Sequence, residues 1–311
     1  MCCLGIRWVC VLPGLLVGLV LLPGCPGRWA TGASLARQAS ERPAAHPAEP
    51  GPDADLTAQA YPWLSQDSPY EALVQRFPTP AGFRRVVLAD ASWGQWLRNL
   101  PVREPGSPVL SRSGEIIVPA RSRHLAAVVD MDVRKDQECA DTIWRLRAEY
   151  LWWQQQADKF TVPLSDGQQM SWTEWREGVR PRLRGDRLQF ARTARPDSSR
   201  AGFNGFLDSV FAWCGTYSLA QQRVPLVDGA PRVGDLFIHG GSPGHAVLLV
   251  DIARDAAGKT KALLLQGFMP AQSAHVVAPG GGETWFDLVP GEPVDTPFWG
   301  AFSWSELGRL G

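Results

Sequence analysis

Three residues of this 311-residue chain have the types that a cysteine hydrolase needs. Cys139 begins an amphipathic stretch, His245 joins the turn HGGSPG to the apolar run AVLLV, and Gln266 ends the run ALLLQ. A thiol becomes a good nucleophile when a histidine takes its proton. A third polar group then fixes the tautomer and direction of the imidazole. We therefore predict Cys139 as nucleophile, His245 as base and Gln266 as the orienting residue.

A helix is expected to position the thiol. Apolar residues recur every three or four positions in DQECADTIWRLRAEYLWWQQQADKF, which is typical of one helix face. With Asp136 as N-cap, Cys139 falls in the first turn, where free N–H groups favour a thiolate and can hold an oxyanion. The negative charges of Asp136, Glu138 and Asp141 oppose thiolate formation.

The histidine and the glutamine are expected on neighbouring strands. Runs of apolar and β-branched residues between turn formers predict strands at 235–239, 245–252, 261–267 and 273–278. A second helical region is predicted for AGFNGFLDSVFAWCGTYSLAQQR. Helices packed on an antiparallel sheet make an α+β domain.

The register of the central hairpin decides whether the histidine and the glutamine meet. The short connection RDAAGK predicts that Arg254 pairs with Lys259. His245 then faces Phe268, and Gln266 lies one diagonal step away on the same face. A slip of one residue would turn Gln266 to the opposite face.

The first 25 residues have the composition of an export signal. Arg7 supplies a positive charge, and the apolar stretch 8–22 is short and broken by Pro and Gly. LLPGC resembles a bacterial lipobox, which implies lipidation of Cys25. A cleaved signal without lipid and an uncleaved anchor are the alternatives. We expect a membrane-anchored lipoprotein of the bacterial cell envelope that faces the periplasm or the exterior.

The remaining chain divides into a linker and one globular domain. Residues 26–59 are rich in Pro and Ala and lack an apolar period, which predicts a disordered linker. Residues 61–311 are expected to form a single domain, with a β-containing N-terminal extension at 61–135 and a core at 136–311. A formal net charge of zero gives no overall attraction to nucleic acid.

The order of these motifs resembles the NlpC-type papain-like cell-wall peptidases. The matching features are a Cys at a helix start, a GDL strand start, and a GH followed by an apolar strand. This resemblance implies a papain-like fold for residues 136–311. It also implies the roles of nucleophile for Cys139, base for His245 and orienting residue for Gln266.

A longer set of motifs resembles an uncharacterised family of bacterial envelope lipoproteins, known as a domain of unknown function. Its motifs cover most of residues 61–311: WLRNLP, VVDMDV, QECADTIWRLRAEYLW, GTYSL, GDLFIHGGSPGHAVLLVD and GFMPAQ. This second resemblance implies the compartment but no activity.

Simpler interpretations exist for each candidate. Cys139 also fits a small apolar residue on a buried helix face, or a disulfide with Cys214 in an oxidising compartment. His245 also fits a structural histidine. His239 lies close enough in sequence to share a metal with His245, but no acidic third ligand is evident, and we predict neither metal nor cofactor. His275 is expected at a surface or strand end.

One further segment could bind a ligand. Between residues 172 and 200 the chain carries Trp172, Trp175 and a run of arginines. Tryptophan faces stack on sugar rings, and arginines hold carboxylates or phosphates. The alternative is a solvated basic face with its tryptophans packed inward.

Two functions follow from these residues. The first is an exported, lipid-anchored cysteine hydrolase that cleaves an amide or ester bond, with cell-wall peptide as the expected substrate. The second is an inactive protein of the same fold that binds cell-wall peptide or glycan, or a protein partner, through residues 172–200. The sequence does not indicate an oligomeric state.

Overall fold

The structure, a computed structural model, describes residues 58–64, 70–164, 166–185, 187–226 and 229–311. The predicted export signal, Cys25 and nearly all of the predicted linker lie outside these residues. No helix within the described ranges is long and apolar enough to cross a membrane.

The described residues contain six α-helices and nineteen strands, together with three short 3-10 helices. The helices are α1 (Leu73–Arg76), α2 (Trp93–Arg98), α3 (Cys139–Trp153), α4 (Trp172–Arg176), α5 (Arg200–Trp213) and α6 (Thr216–Gln222). The strands are β1 (Glu71–Ala72), β2 (Arg84–Arg85), β3 (Pro101–Val102), β4 (Val109–Leu110), β5 (Ile116–Val118), β6 (Leu125–Val128), β7 (Thr161–Pro163), β8 (Gln169–Ser171), β9 (Val179–Arg184), β10 (Arg187–Arg192), β11 (Arg223–Pro225), β12 (Leu236–His239), β13 (His245–Arg254), β14 (Thr260–Gln266), β15 (His275–Val277), β16 (Phe286–Leu288), β17 (Val294–Thr296), β18 (Gly300–Phe302) and β19 (Leu307–Leu310).

A nine-stranded antiparallel sheet organises the molecule. Its strands follow the order β11-β19-β12-β13-β14-β15-β6, while β16 also pairs with β14 and β2 with β13. The long strand β13 is buried along nearly its whole length, as its continuous apolar sequence predicts. Helix α3 contacts β13 and β14 of the sheet as well as α5. The predicted α+β class is confirmed.

The predicted register of β13 against β14 is wrong at the turn and right near His245. At the turn Arg254 pairs with Thr260, not with the predicted Lys259. A β-bulge between Leu249 and Asp251 absorbs one residue of β13, and Leu248 then pairs with Leu265. Beyond the bulge the ladder therefore has the predicted register, and His245 lies opposite Phe268, with ring centroids 4.8 Å apart.

Helix α3 begins at Cys139, but its N-cap differs from the predicted one. Glu138 is the N-cap, and its backbone N–H donates to the Asp141 carboxylate three residues later. Asp136 instead has a positive φ of 60°, which an aspartate tolerates better than most residues. The cap prediction was therefore wrong by two residues, because Asp136 belongs to the turn that precedes the helix.

Buried ion pairs surround α3 and tie it to its neighbours. Arg145 donates to Gln137 and to the backbone carbonyl of Asp132, and it forms an ion pair with the Asp132 carboxylate. One turn later the buried Glu149 accepts from Arg200 of α5 at 2.6 Å. These contacts give the buried charges of Arg145 and Glu149 opposite partners inside the fold.

Two predicted elements differ from those observed. The single helical region expected around residues 201–223 is divided into α5 and α6 by an extended residue, Cys214, which is the C-cap of α5. The strands expected in the N-terminal extension are short, because β2 covers only two residues and β6 four.

Candidate active site

In the candidate site the predicted base, His245, contacts the predicted orienting residue, Gln266. His245 Nε2 lies 2.8 Å from Gln266 Oε1, and both side chains are fully buried. The HGGSPG turn that leads into His245 is fastened to α6, because the Thr216 hydroxyl donates to the Gly241 carbonyl at 2.9 Å. The described residues therefore bring His245 and Gln266 together, as the predicted register requires.

Cys139 lies beside the start of the same strand. The backbone N–H groups of Ala246 and Ala140 hydrogen-bond its thiol, so the thiol sits against the residue that follows His245. Gly267 makes this approach feasible, because a Cβ there would lie 2.2 Å from Thr142 Oγ1 and 2.7 Å from the Glu138 carbonyl. The first turn of α3 therefore packs directly on the end of β14.

The thiol and the imidazole are both neutral near pH 7. Burial, together with the smaller effect of the nearby Asp141 and Glu138, raises the pKa of the Cys139 thiol to about 11, against the lowering effect of the two backbone N–H groups. Burial likewise lowers the pKa of His245 to about 4, although the bond to Gln266 opposes this. The thiolate favoured by the helix N-terminus is therefore not the resting form.

Aromatic rings cause much of this burial. The ring of His245 has Phe268 at 4.8 Å, Trp299 at 5.2 Å and Phe302 at 6.0 Å between centroids. Trp299 and Phe302 belong to the β17–β18 hairpin, which places its tip beside the base. An apolar wall of this kind shields the imidazole from water.

A second histidine lies on the same sheet face as the base. His239 pairs directly with His245 across β12 and β13, and its Nδ1 lies 2.6 Å from Glu306 Oε1. The side chain is half exposed. Within the described residues no three His, Cys, Asp or Glu side chains are grouped as a metal site requires.

The sequence did not predict the role of His275, which the structure buries completely. His275 pairs with Gln266 across β15 and β14, and its Nε2 lies 3.1 Å from Gln266 Nε2. Its Nδ1 lies 2.9 Å from the Ser273 carbonyl. Of the two expected places, the strand end is confirmed, since His275 begins β15, and the surface is wrong, because β15 lies inside the sheet between β14 and β6.

The predicted tryptophan ligands do not form a binding surface. Trp172 is 2% exposed and packs on Phe203 and Phe206, so its faces are closed to sugars. Trp175 is partly buried, donates to the Gly202 carbonyl, and has the Arg180 guanidinium 3.8 Å from its ring centroid. The stacking prediction is therefore wrong, and these side chains belong to the core and its border.

The second cysteine of the described residues is separate from the base. Cys139 and Cys214 are both buried free thiols, so the alternative of a disulfide is not realised. Burial, together with the smaller effect of Asp141, raises the pKa of Cys214 to about 12, although a hydrogen bond from Ser218 to the sulfur opposes this. The carboxylate on the same strand as His245, Asp251, is not part of the site, because it forms ion pairs with Arg85 and Arg98.

A family model described as Domain of unknown function (4846) matches residues 73–309. The chain belongs to this family. The matched range contains Cys139, His245, Gln266 and His275. No curated protein and no solved structure matches the chain. The family description carries no activity, so a function for this domain has to be argued from the geometry of its residues.

Proposed function

We propose that this domain is a cysteine hydrolase of papain-like arrangement that cleaves an amide or ester bond. The observation that carries the proposal is the bond from His245 to Gln266, which engages Nε2 and so assigns proton transfer to Nδ1. The thiol of Cys139 lies at the first turn of a helix and against Ala246. These are also the roles that the resemblance to NlpC-type peptidases implies for Cys139, His245 and Gln266.

The reaction starts from the neutral pair. Cys139 Sγ attacks the substrate carbonyl carbon while His245 Nδ1 takes the thiol proton, so the charged pair forms only as the S–C bond forms. The Cys139 N–H, which has no acceptor within the helix, stabilises the resulting oxyanion. His245 then returns the proton to the departing amine or alcohol. Water hydrolyses the thioester, with His245 again taking and returning a proton, and the thiol is restored.

The proposed substrate is a peptide of the cell wall. Its support is the predicted export signal together with the resemblance to cell-wall peptidases. The apolar wall of Phe268 and Trp299 fits a substrate that shields the reacting carbonyl from water.

The two cysteines provide a matched experiment. The full chain and its Cys139→Ala and Cys214→Ala variants are incubated with cell-wall peptide fragments and with a panel of simple esters, and products are identified by mass. We expect turnover by the unmodified chain and by Cys214→Ala, and none by Cys139→Ala. Equal turnover by all three would refute the assignment of the nucleophile.

A second candidate function, binding without chemistry, is favoured by the β9–β10 hairpin. Strand alternation puts Arg182, Arg184 and Arg187 on one face, with Arg184 directly opposite Arg187. All three are exposed and form no ion pair within the part of the chain described, whereas Arg192 pairs with Glu177. Like charges in direct cross-strand pairs are unfavourable unless an anion binds them.

The hairpin is tested by sedimentation with purified cell walls. Replacing Arg182, Arg184 and Arg187 together by Gln should abolish a salt-sensitive association. Arg192→Gln is the matched control, since that arginine already has a partner. Association that survives the triple change would remove the hairpin as a binding surface.

The membrane anchor is a separate proposal that concerns residues outside those described. A labelled fatty acid should be incorporated into the full chain in a bacterial host, and Cys25→Ala should prevent this. Incorporation that persists in the variant would exclude Cys25 as the lipidated residue.

A further inference from the structure

His275 is a buried, titratable side chain to which the proposed reaction gives no task. Its two ring nitrogens face two different partners, the Ser273 carbonyl at 2.9 Å and the Gln266 amide nitrogen at 3.1 Å. The backbone ladder already holds β15, because His275 pairs with Gln266 on one side and with Val128 on the other. The position of the strand therefore does not require an imidazole at this residue.

The Ser273 carbonyl sets the direction of every bond that follows. A carbonyl oxygen only accepts, so His275 Nδ1 must carry a proton. A neutral imidazole has one N–H, and burial lowers the pKa of His275 to about 4, which keeps it neutral near pH 7. His275 Nε2 is consequently an acceptor, and Gln266 must donate to it through its Nε2.

This orientation of the amide decides the tautomer of the base. With its nitrogen directed at His275, Gln266 presents Oε1 to His245, so His245 Nε2 must donate. His245 Nδ1 is then the unprotonated nitrogen. A glutamine amide has nearly the same shape when it is rotated by half a turn, and the rotated form would present NH₂ to His245 and select the opposite tautomer.

We propose that His275 is a positioning residue that acts through Gln266 to hold His245 in the tautomer with a free Nδ1. The tautomer is a property of the fold, and its value for proton transfer from Cys139 rests on the proposed function. We call this chain of hydrogen bonds, from the Ser273 carbonyl through His275 and Gln266 to His245, the relay.

The test is nitrogen-15 NMR of the full chain with labelled histidine, which distinguishes protonated from unprotonated ring nitrogens. The chain has only five histidines, so the signals can be assigned by substitution. We expect His275 to be protonated at Nδ1 and His245 at Nε2. Protonation of His245 at Nδ1 would overturn the proposal without any variant.

Three variants separate positioning from packing. His275→Gln supplies both an acceptor and a donor and should preserve the His245 tautomer. His275→Phe keeps a ring but no hydrogen bond, and the minor tautomer of His245 should rise by about two- to tenfold, as expected from the loss of one hydrogen bond. His124→Phe is the control. The ring centroid of His124 lies 6.2 Å from that of Phe298, and the ring centroid of His275 lies 6.3 Å from it, but His124 makes no hydrogen bond to Gln266.

The same variants distinguish failure of the relay from failure of the proposed function. Acylation of Cys139 by an activated ester should slow in His275→Phe and recover in His275→Gln. If His275→Phe leaves the His245 tautomer unchanged, the relay is refuted even where acylation continues. If the tautomers behave as expected but Cys139 is never acylated, the proposed function fails and the relay stands. Should His275→Phe not fold, the unmodified chain and His275→Gln still decide the tautomer.

Discussion

At the scale of single residues, the direction of a few hydrogen bonds determines what the site can do. Cys139, His245 and Gln266 were predictable because their types and their places at element ends suggest a thiol hydrolase. His275 was not, because one histidine ahead of two valines has no spacing that signals a role. Only the pairing of His275 with Gln266 in the sheet reveals its contact.

Gln266→Glu tests the bond to the base. A carboxylate at this position favours the charged imidazole, so the pKa of His245 should rise from about 4 by about 1 to 3 units. The pKa is measured by NMR titration of the His245 ring. Gln137→Glu is the matched control, since Gln137 is also buried but bonds to Thr142 and Arg145. An unchanged His245 pKa in Gln266→Glu would contradict the observed contact.

At the scale of elements, the site depends on how β14 and α3 approach each other. The continuous apolar runs predicted both strands of the central hairpin, but not the bulge after Leu249, because LLVDI carries no glycine or proline to mark it. The predicted register was right at His245 only because this bulge offsets the extra residue in the turn.

Gly267→Ala tests the contact between β14 and α3. The added Cβ would meet Thr142 Oγ1 and the Glu138 carbonyl, and one of these is rigid backbone, so we expect a loss of about 1–3 kcal/mol of unfolding free energy. Gly205→Ala in α5 is the control. Its Cβ would lie 3.8 Å from Trp175, and a helical alanine should stabilise by up to about 1 kcal/mol. Both values come from denaturant unfolding, and equal effects would contradict the close packing.

At the scale of the whole molecule, long-range contacts join the N-terminal extension to the sheet. Asp251 of β13 is fully buried and accepts from Arg85 and Arg98, both at 2.7 Å. The two arginines lie 166 and 153 residues away in the chain, so no local pattern could predict the cluster. The α+β class was accessible from strand and helix periods, but these distant ion pairs were not.

The buried histidines should make global stability depend on pH. His275 has a folded pKa of about 4 and an ordinary value of 6.5, so between these values the unfolded chain binds the proton and the folded chain does not. Stability is therefore complete above pH 6.5 and falls as the pH decreases toward 4, by about 3 kcal/mol for this residue.

His275→Gln isolates the contribution of His275 to this pH dependence. The other titrating groups contribute equally to the unfolding free energies of the unmodified chain and the variant, so they cancel when one is subtracted from the other. The unfolding free energy of the unmodified chain minus that of the variant should fall by about 3 kcal/mol from pH 6.5 to pH 4. A difference that stays constant over this range would show that His275 is not buried in its neutral form.

The central claim, that a neutral Cys139 is activated by His245, is tested most directly by the pH dependence of Cys139 acylation. The full chain reacts with a nitrophenyl ester, and the acylated residue is located by mass. Since the pKa of His245 is about 4, the rate constant should be nearly level between pH 5 and 8 and should collapse when His245 is replaced by Phe. A free thiolate with a pKa of about 11 would instead give a rate rising about tenfold per pH unit, unaffected by the His245 change, and that result would contradict the account.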